Sequence, residues 1–232
     1  MFGGKGNFMK KGDFIKIEFV GRLESGEVFD LTDEDIAKKE DIYNKNLDYS
    51  PIPVIVGEGF VIEGLDEALQ DMEVGEEKKV TIPPEKGFGK RNPNLVRTLS
   101  KNAFKRVPKP GMVIATPSGA RGRVQSISSG RVRVDFNNPL AGKNLKYEVK
   151  VNKKIKDDVK KVKSIFKFFK LDPEVKTNDR EINIELKKLN SELENKAKDL
   201  IKKYTKFEKV KIEQKEKEKN KKENKKSKND KD

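Results

Sequence analysis

The sequence predicts an α+β protein in which an antiparallel β-sheet wraps around one short helix. Residues 79–82, Lys-Val-Thr-Ile, have the period of two that is typical of a strand, and residues 54–56 predict another strand before them. Between these strands, four apolar residues recur at the spacing of one helical face: Leu65, Ala68, Leu69 and Met72. A lone short helix among strands must bury that face against a sheet.

The elements before this helix follow from alternation and turn residues. Residues 15–19, Ile-Lys-Ile-Glu-Phe, alternate between apolar and charged and predict the first strand. Ser25-Gly26 predicts a turn, and Val28-Phe29 begins the next strand. Residues 33–46 are mostly polar and predict a short helix followed by a loop.

The segment from 89 to 134 interrupts this pattern. It contains Pro93, Pro108, Pro110 and Pro117 with several glycines, which excludes long helices. Its short apolar clusters predict a β-rich mini-domain inserted into a surface loop. After it, Tyr147, Val149 and Val151 form one face of a last strand, which we expect to close the first sheet.

A separate α+β unit is predicted after residue 155. An amphipathic helix comes first, and its apolar stripe consists of Val159, Val162, Ile165, Phe166 and Phe169. Asn178-Asp179 predicts a hairpin turn, the capping box Ser191-x-x-Glu194 predicts the start of a second helix, and Val210 with Ile212 predicts a strand. The stripe is large for so small a unit. We expect a second copy of the chain to cover it in a homodimer, with the insert or the first domain as alternatives.

These patterns predict four segments. Residues 8–88 and 135–155 form the first domain, 89–134 the insert, and 156–213 the C-terminal α+β domain. Residues 214–232 are rich in lysine and glutamate, and we expect a disordered tail because they cannot bury enough apolar surface.

The composition excludes several classes of chemistry. The chain contains no cysteine and no histidine, which excludes disulfides, thiolate and imidazole metal sites, and Ser-His or Cys-His catalysis. No run of about 18 apolar residues predicts a membrane span. The N-terminal residues lack the apolar centre of a signal peptide, so we expect a cytoplasmic protein without a membrane partner.

The net charge of +14 raises the question of nucleic-acid binding. Lysine is interleaved with glutamate almost everywhere, which also fits the surface ion-pair networks of a heat-adapted protein. No nucleic-acid binding motif accompanies the charge. We therefore expect only a weak electrostatic attraction to the ribosome or to other polyanions.

Several motifs identify a family. Residues 57–69 read GEGFVIEGLDEAL and residues 72–89 read MEVGEEKKVTIPPEKGFG. Together with FVG at 19–21, GEVFD at 26–30 and DFNNPLAGKNL at 135–145, they resemble the FKBP family of prolyl isomerases. The resemblance is strongest to the SlyD-type and archaeal members, which carry an insert in the flap. It covers about two-thirds of the chain.

The chemistry of this family suits a chain without histidine or cysteine. Rotation about an X-Pro bond has a barrier of about 20 kcal/mol, and the twisted amide has lost resonance and charge separation. An apolar pocket that excludes water therefore favours the transition state, and no proton is transferred. The resemblance implies no cofactor. The histidine-rich nickel-binding tail of SlyD-type proteins has no counterpart here.

The resemblance implies a pocket of eight residues: Phe19, Phe29, Asp30, Val61, Ile62, Leu65, Phe88 and Tyr147. It assigns the pocket floor to Leu65 and the hydrogen-bond donor for the substrate carbonyl to the backbone N–H of Ile62. Taken without the resemblance, the apolar residues at these spacings also fit an ordinary core. Phe19 and Phe88 stand where many members have tyrosine, and Leu65 where many have tryptophan. The alternative is therefore a catalytically weak, ribosome-associated holdase.

The resemblance also implies partners. They are proline-containing peptides and unfolded proteins, the latter held on the insert because an exposed apolar patch marks an interaction site. The candidate client-binding residues are Leu95, Leu99, Phe104 and Met112.

Overall fold

The structure is a computed structural model that describes residues 7–187 and 189–214. The strands are β1 (Phe14–Leu23), β2 (Val28–Leu31), β3 (Ile52–Ile55), β4 (Glu77–Ile82), β5 (Val96–Ser100), β6 (Val113–Ala115), β7 (Arg121–Ser128), β8 (Arg131–Asp135), β9 (Leu145–Lys154), β10 (Glu174–Asn178), β11 (Glu181–Leu186) and β12 (Lys209–Gln214). The α-helices are α1 (Glu34–Lys39), α2 (Glu63–Gln70), α3 (Asp158–Phe168) and α4 (Ser191–Tyr204).

The first sheet confirms the predicted antiparallel sheet around a short helix. Its order is β2-β1-β9-β4, and β3 also pairs with β1. β2 pairs with the C-terminal half of β1 and β3 with the N-terminal half, so both lie on the same edge. From α2, Leu65 and Leu69 are buried in the same core as Ile17 of β1 and Val149 of β9. Burial of these apolar faces stabilises the domain by about 1.5–3 kcal/mol per large side chain.

The insert contains a second antiparallel sheet, as predicted from its short apolar clusters. Its order is β5-β8-β7-β6. The buried core of this sheet consists of Val124 on β7 with Val132 and Val134 on β8. It is a separate apolar cluster from that of the first sheet.

The C-terminal region folds in the predicted order of helix, hairpin, helix and strand. Its sheet has the order β10-β11-β12, with β12 parallel to β11. The predicted capping box at the start of α4 is wrong by one residue. Asn190 caps α4, because its side chain accepts a hydrogen bond from the Leu193 N–H at 2.7 Å, whereas Ser191 is the first helical residue.

The apolar stripe of α3 is largely covered within the chain. Val162 and Phe166 are fully buried. Phe168 packs against Phe60 of the first domain with 4.7 Å between ring centroids. Phe169, 37% exposed, is the large apolar residue of this stripe that stays open to solvent in the described structure. The first domain is thus the main cover among the alternatives expected from the sequence.

The predicted disordered tail lies outside the described residues, except for Gln214 at the end of β12. In the described part of the chain, every helix is too short or too polar to cross a membrane.

Candidate active site

Three aromatic rings meet over the centre of the first sheet. The Tyr147 ring lies 5.8 Å from that of Phe19 and 5.6 Å from that of Phe29, measured between centroids. The Phe29 ring meets Tyr147 edge to face, which is a favoured geometry for aromatic pairs. Phe19 lies on β1, Phe29 on β2 and Tyr147 on β9, so the pairing of three strands builds the cluster.

Gly21 creates the space for two of these rings. It lies opposite Tyr147 in the β1–β9 pair and opposite Asp30 in the β1–β2 pair. A Cβ atom added at this position would lie 2.7 Å from Cζ of Phe29 and 3.2 Å from Cε1 of Tyr147. The bare backbone of Gly21 therefore lets both rings lie over β1.

Thr32 holds the backbone of Phe19. The Phe19 N–H donates to Oγ1 of Thr32 at 2.8 Å, and the Thr32 N–H donates to the Phe19 carbonyl oxygen at 2.9 Å. Thr32 is buried, so the hydroxyl replaces strand pairing at a point that water does not reach. This contact fixes Phe19 relative to β2.

Asp30 brings a carboxyl group to the edge of the aromatic cluster. Loss of water around it raises the pKa of Asp30, although the N–H of Leu31 and the positive charge of Lys170 act in the opposite direction. Burial, and then the negative charge of Asp30, raise the pKa of the Tyr147 hydroxyl. Tyr147 is largely buried, and its hydroxyl forms no hydrogen bond with a described residue. The hydroxyl oxygen is not among the fully buried polar atoms, so it reaches the surface of the pocket. It is thus available to a bound molecule.

The loop before α2 supplies the remaining polar group. Val61 and Ile62 are half-buried against the main core. The Ile62 carbonyl oxygen accepts the first hydrogen bonds of the helix, from the N–H groups of Leu65 and Asp66. The Ile62 N–H has no acceptor within the described residues, as is normal for the start of a helix. This arrangement leaves one backbone donor free.

Leu65 lies on α2, which contacts β4, and Phe88 lies in the segment after β4. Leu65 is 2% exposed and is buried in the core, whereas Phe88 is half-buried against it. Gly64 permits the close approach, because an added Cβ would lie 2.6 Å from Cγ2 of Ile82. Seven of the eight residues predicted for the pocket belong to, or pack against, one apolar cluster, and Asp30 is the exception.

The sequence did not indicate that the C-terminal domain contacts the loop of residues 57–62. Phe60 is buried and packs against Phe168 and Phe169. Asp66 of α2 fixes the start of this loop by accepting a hydrogen bond from the Gly57 N–H at 2.8 Å. The loop with the free Ile62 N–H is thus braced from two sides. Lys170, which follows α3, is close enough to act on the charge of Asp30.

The candidate client-binding residues lie in the insert but differ in exposure. Leu99, Phe104 and Met112 are half-buried and pack against the insert core, whereas Leu95 is 37% exposed. Two other residues, Val107 and Val113, are 70% and 56% exposed. Sequence reasoning did not single them out, because alternation alone does not tell which side of a small sheet is covered.

A groove of about 740 Å³ connects the two sheets. Its walls include Leu23 and Phe29 from the first domain and Val113, Arg121 and Arg123 from the insert. It therefore begins at a ring of the aromatic cluster and continues to an exposed apolar residue of the insert. In the described part of the chain no three acidic residues cluster in a way that could hold a metal ion.

Known proteins that are similar to this chain are peptidyl-prolyl cis-trans isomerases. A family model described as FKBP-type peptidyl-prolyl cis-trans isomerase matches residues 5–152. The short-type peptidyl-prolyl cis-trans isomerase of Methanocaldococcus jannaschii is 43% identical over 148 residues, which are 62% of this chain and 93% of that protein. The isomerase SlyD of Treponema pallidum is 35% identical over 142 residues, 59% of this chain and 73% of that protein. The family match ends before α3.

Proposed function

The chain belongs to the FKBP-type peptidyl-prolyl cis-trans isomerase family, and from this premise we propose that its aromatic cluster is the pocket in which X-Pro bonds rotate. The observation that carries the proposal is the contact of Tyr147 with both Phe19 and Phe29, with the carboxyl group of Asp30 at its edge. We propose that Val61, Ile62, Leu65 and Phe88 complete the walls and floor.

The low polarity of this pocket supports catalysis without proton transfer. A planar X-Pro amide has separated charge on its oxygen and nitrogen, and rotation of the bond removes that separation. Aromatic walls that exclude water therefore disfavour the planar ground state more than the twisted transition state. Phe19 and Leu65, which lack the polar groups that many family members have at these positions, make this environment more apolar.

Three polar groups are available to orient the substrate. In our proposal the Ile62 N–H donates to the substrate carbonyl, because no described residue accepts from it. The Tyr147 hydroxyl, also without a described partner, donates a second hydrogen bond. Asp30 accepts from a substrate N–H, which compensates for the loss of water around its carboxylate.

The test is an isomerisation assay on a short X-Pro peptide. Asp30→Leu and Phe88→Ala should each lower kcat/KM several-fold, equivalent to about 1 kcal/mol of transition-state stabilisation. Asp35→Leu on the exposed start of α1 is the control and should retain activity. Full activity in both pocket variants would refute the assignment. Inactive wild-type protein that still suppresses aggregation would favour the weak holdase instead.

We further propose that the insert holds unfolded chains and delivers their prolines along the groove. The groove joins Phe29 to Val113, and Leu95, Val107 and Val113 are exposed apolar residues of the insert. Tethering a long client beside the pocket raises the effective concentration of its prolines. The half-buried Leu99, Phe104 and Met112 would support this surface and contribute their exposed parts.

Two substrates separate catalysis from client binding. Replacement of residues 89–134 by a short loop should preserve isomerisation of a tetrapeptide and slow the catalysed refolding of a proline-limited protein. Val113→Ser should have the same selective effect on a smaller scale. Val74→Ser is the matched control, because Val74 is 47% exposed but lies outside the insert. Equal loss on peptide and protein would mean that the insert only supports the pocket.

The remaining predictions concern organisation. We propose domain boundaries at residues 8–88 with 135–155, 89–134 and 156–213. The separate apolar cluster of the insert and the separate C-terminal sheet support these boundaries, although the buried C-terminal residues share the apolar cluster of the first domain. Of the apolar stripe that suggested a homodimer, Phe169 remains exposed, so any homodimer would use it. Sedimentation of the Phe169→Ser variant, compared with that of the wild type, tests whether the chain forms a homodimer through Phe169. Cytoplasmic location stays a prediction.

A further inference from the structure

A cleft of about 730 Å³ lies between the first sheet and α3, and its lining contains none of the eight residues of the proposed pocket. Its lining contains six lysines: Lys16, Lys153, Lys160, Lys163, Lys167 and Lys170. Two acidic residues, Asp48 and Asp172, also line it. The apolar part of the lining includes Ile52, Phe168 and Leu171. The cleft thus combines a strong excess of positive charge with an apolar surface.

These six lysines differ from their neighbours in sequence. Lys154 pairs with Asp13 at 2.5 Å and Lys161 pairs with Asp158 at 2.9 Å. By contrast, none of the six cleft lysines forms an ion pair with any residue that the structure describes. Thirteen ion pairs occur elsewhere in the described part of the chain, so pairing is common on this surface and is missing in the cleft.

The arrangement of the lysines is unfavourable for the protein alone. Lys16 lies directly opposite Lys153 in the β1–β9 pair, and like charges at such positions destabilise a sheet. Lys163 and Lys167 are four residues apart on α3, where like charges also repel. Burial, followed by the charges of Lys167 and Lys153, lowers the pKa of Lys16, although the negative charge of Asp48 acts in the opposite direction. A bound polyanion would relieve this repulsion.

We propose that this cleft binds single-stranded nucleic acid through its phosphate groups. Lys160, Lys163 and Lys167 form a row about 10 Å long on α3, given a rise of about 1.5 Å per residue, which suits successive phosphates of an extended strand. Lys16 and Lys153 face this row from the sheet. The bases contact the apolar lining near Phe168, as in nucleic-acid grooves that combine positive charge with an apolar platform.

All six cations of the lining are lysines, which bind phosphate as compact point charges. Lysine also pairs with carboxylates, as it does elsewhere on this surface. The row of lysines beside an apolar lining favours nucleic acid, and an acidic polypeptide is the competing ligand that the experiment has to exclude.

The experiment measures binding of fluorescent 15-residue oligouridylate and oligothymidylate to the full chain by anisotropy, between 50 and 200 mM salt. Lys163→Gln/Lys167→Gln should weaken binding more than about 10-fold at 50 mM salt and reduce the slope of log K against log salt by about 1.4, because each of the two lost phosphate contacts contributes about 0.7. Lys105→Gln/Lys109→Gln in the insert removes the same charge from exposed lysines without a described ion-pair partner and should leave binding nearly unchanged.

Two results would refute the proposed nucleic-acid site: equal weakening of binding by both double variants, or no binding by the wild type. Tighter binding of a labelled polyglutamate than of either oligonucleotide would replace nucleic acid by an acidic polypeptide. The affinities for oligouridylate and oligothymidylate, compared with each other, indicate whether the cleft prefers RNA or DNA. Tetrapeptide isomerisation should stay unchanged in the cleft variant, so this proposal fails or holds independently of the proposed activity.

A second double variant is needed in case the first one folds poorly. Because Lys163→Gln/Lys167→Gln removes like charges, it should not have a lower thermal midpoint than the wild type. If it does, Lys153→Gln/Lys160→Gln removes one lysine from each side of the cleft and should give the same loss of binding. Retention of full affinity in that folded variant would refute the proposal.

Discussion

Tyr204, at the end of α4, donates its hydroxyl hydrogen to the carboxylate of Glu58 in the loop before α2. Lys203 donates to the same carboxylate oxygen at 2.9 Å, and the Glu58 side chain is only 17% exposed. The ring of Tyr204 lies so close to Gly12 that an added Cβ would be 2.2 Å from Cε1. The C-terminal domain therefore holds the loop that carries the Ile62 N–H.

We expect this contact to couple the two domains. Tyr204→Phe and Glu58→Gln should each lower the free energy of unfolding by about 1–2 kcal/mol, because the hydrogen bond has a charged acceptor. The double variant should lose less than the sum of the two, which a double-mutant cycle measures. Lys203→Gln, at a more exposed side chain, is the control and should cost less. Strict additivity would contradict the coupling.

The same contact should weaken in acid. Partial burial alone would raise the pKa of Glu58, but hydrogen bonds from Tyr204 and Lys203 outweigh it and lower the pKa. Because the folded-state pKa lies below the unfolded value, the stabilisation is complete above about pH 4.5 and is lost as the pH falls through the folded-state pKa. The difference in thermal midpoint between wild type and Glu58→Gln should therefore shrink from pH 7 to pH 3. A constant difference would show that the charge of Glu58 does not contribute.

Gly21→Ala should damage both the pocket and the fold. The added methyl group collides with the Phe29 ring, so the ring must leave the aromatic cluster. We expect a several-fold loss in kcat/KM and a cost in stability of about 1–3 kcal/mol from overpacking. Gly21→Ala/Phe29→Leu should recover part of the lost stability, since the smaller side chain leaves room. If Phe29→Leu worsens the stability of Gly21→Ala, the collision is not the cause.

Thr32→Val should leave the Phe19 N–H without an acceptor. A buried unsatisfied backbone group costs about 1–3 kcal/mol, so the thermal midpoint and kcat/KM should both fall. Thr32→Ser keeps the hydroxyl and removes one methyl group, with a cost of about 0.8 kcal/mol. Destabilisation by serine but not by valine, which keeps the methyl group, would mean that Thr32 acts through its methyl group and not through its hydroxyl.

Local patterns predicted the first sheet and its helix well. The alternation in β1 and β9 and the helical spacing of Leu65 and Leu69 reflect burial on one face, and burial is what the structure shows for them. The meeting of Phe19, Phe29 and Tyr147 required more than periodicity. These residues lie on three strands far apart in sequence, and the family resemblance was needed to bring them together.

Contacts between domains could not be predicted from these patterns. The spacing along α3 shows that an apolar stripe exists, but it does not tell that Phe168 meets Phe60, which is 108 positions earlier in the chain. The grouping of the six cleft lysines could not be predicted either, because lysine is frequent throughout the sequence and only the fold shows which lysines face one another. At α4, Asn190 and Ser191 are both good capping residues, and the prediction chose Ser191 whereas Asn190 makes the capping hydrogen bond.

The pairing of β1 with β9 sets an order of events during synthesis. β9 follows the insert, so β1 lacks this central partner until residue 154 has left the ribosome. The insert sheet needs only residues 96–135 and closes over short stretches of chain, which form contacts faster than distant ones. We therefore expect the insert to be complete first on the nascent chain, so that the proposed client-binding surface exists before the proposed isomerisation pocket does.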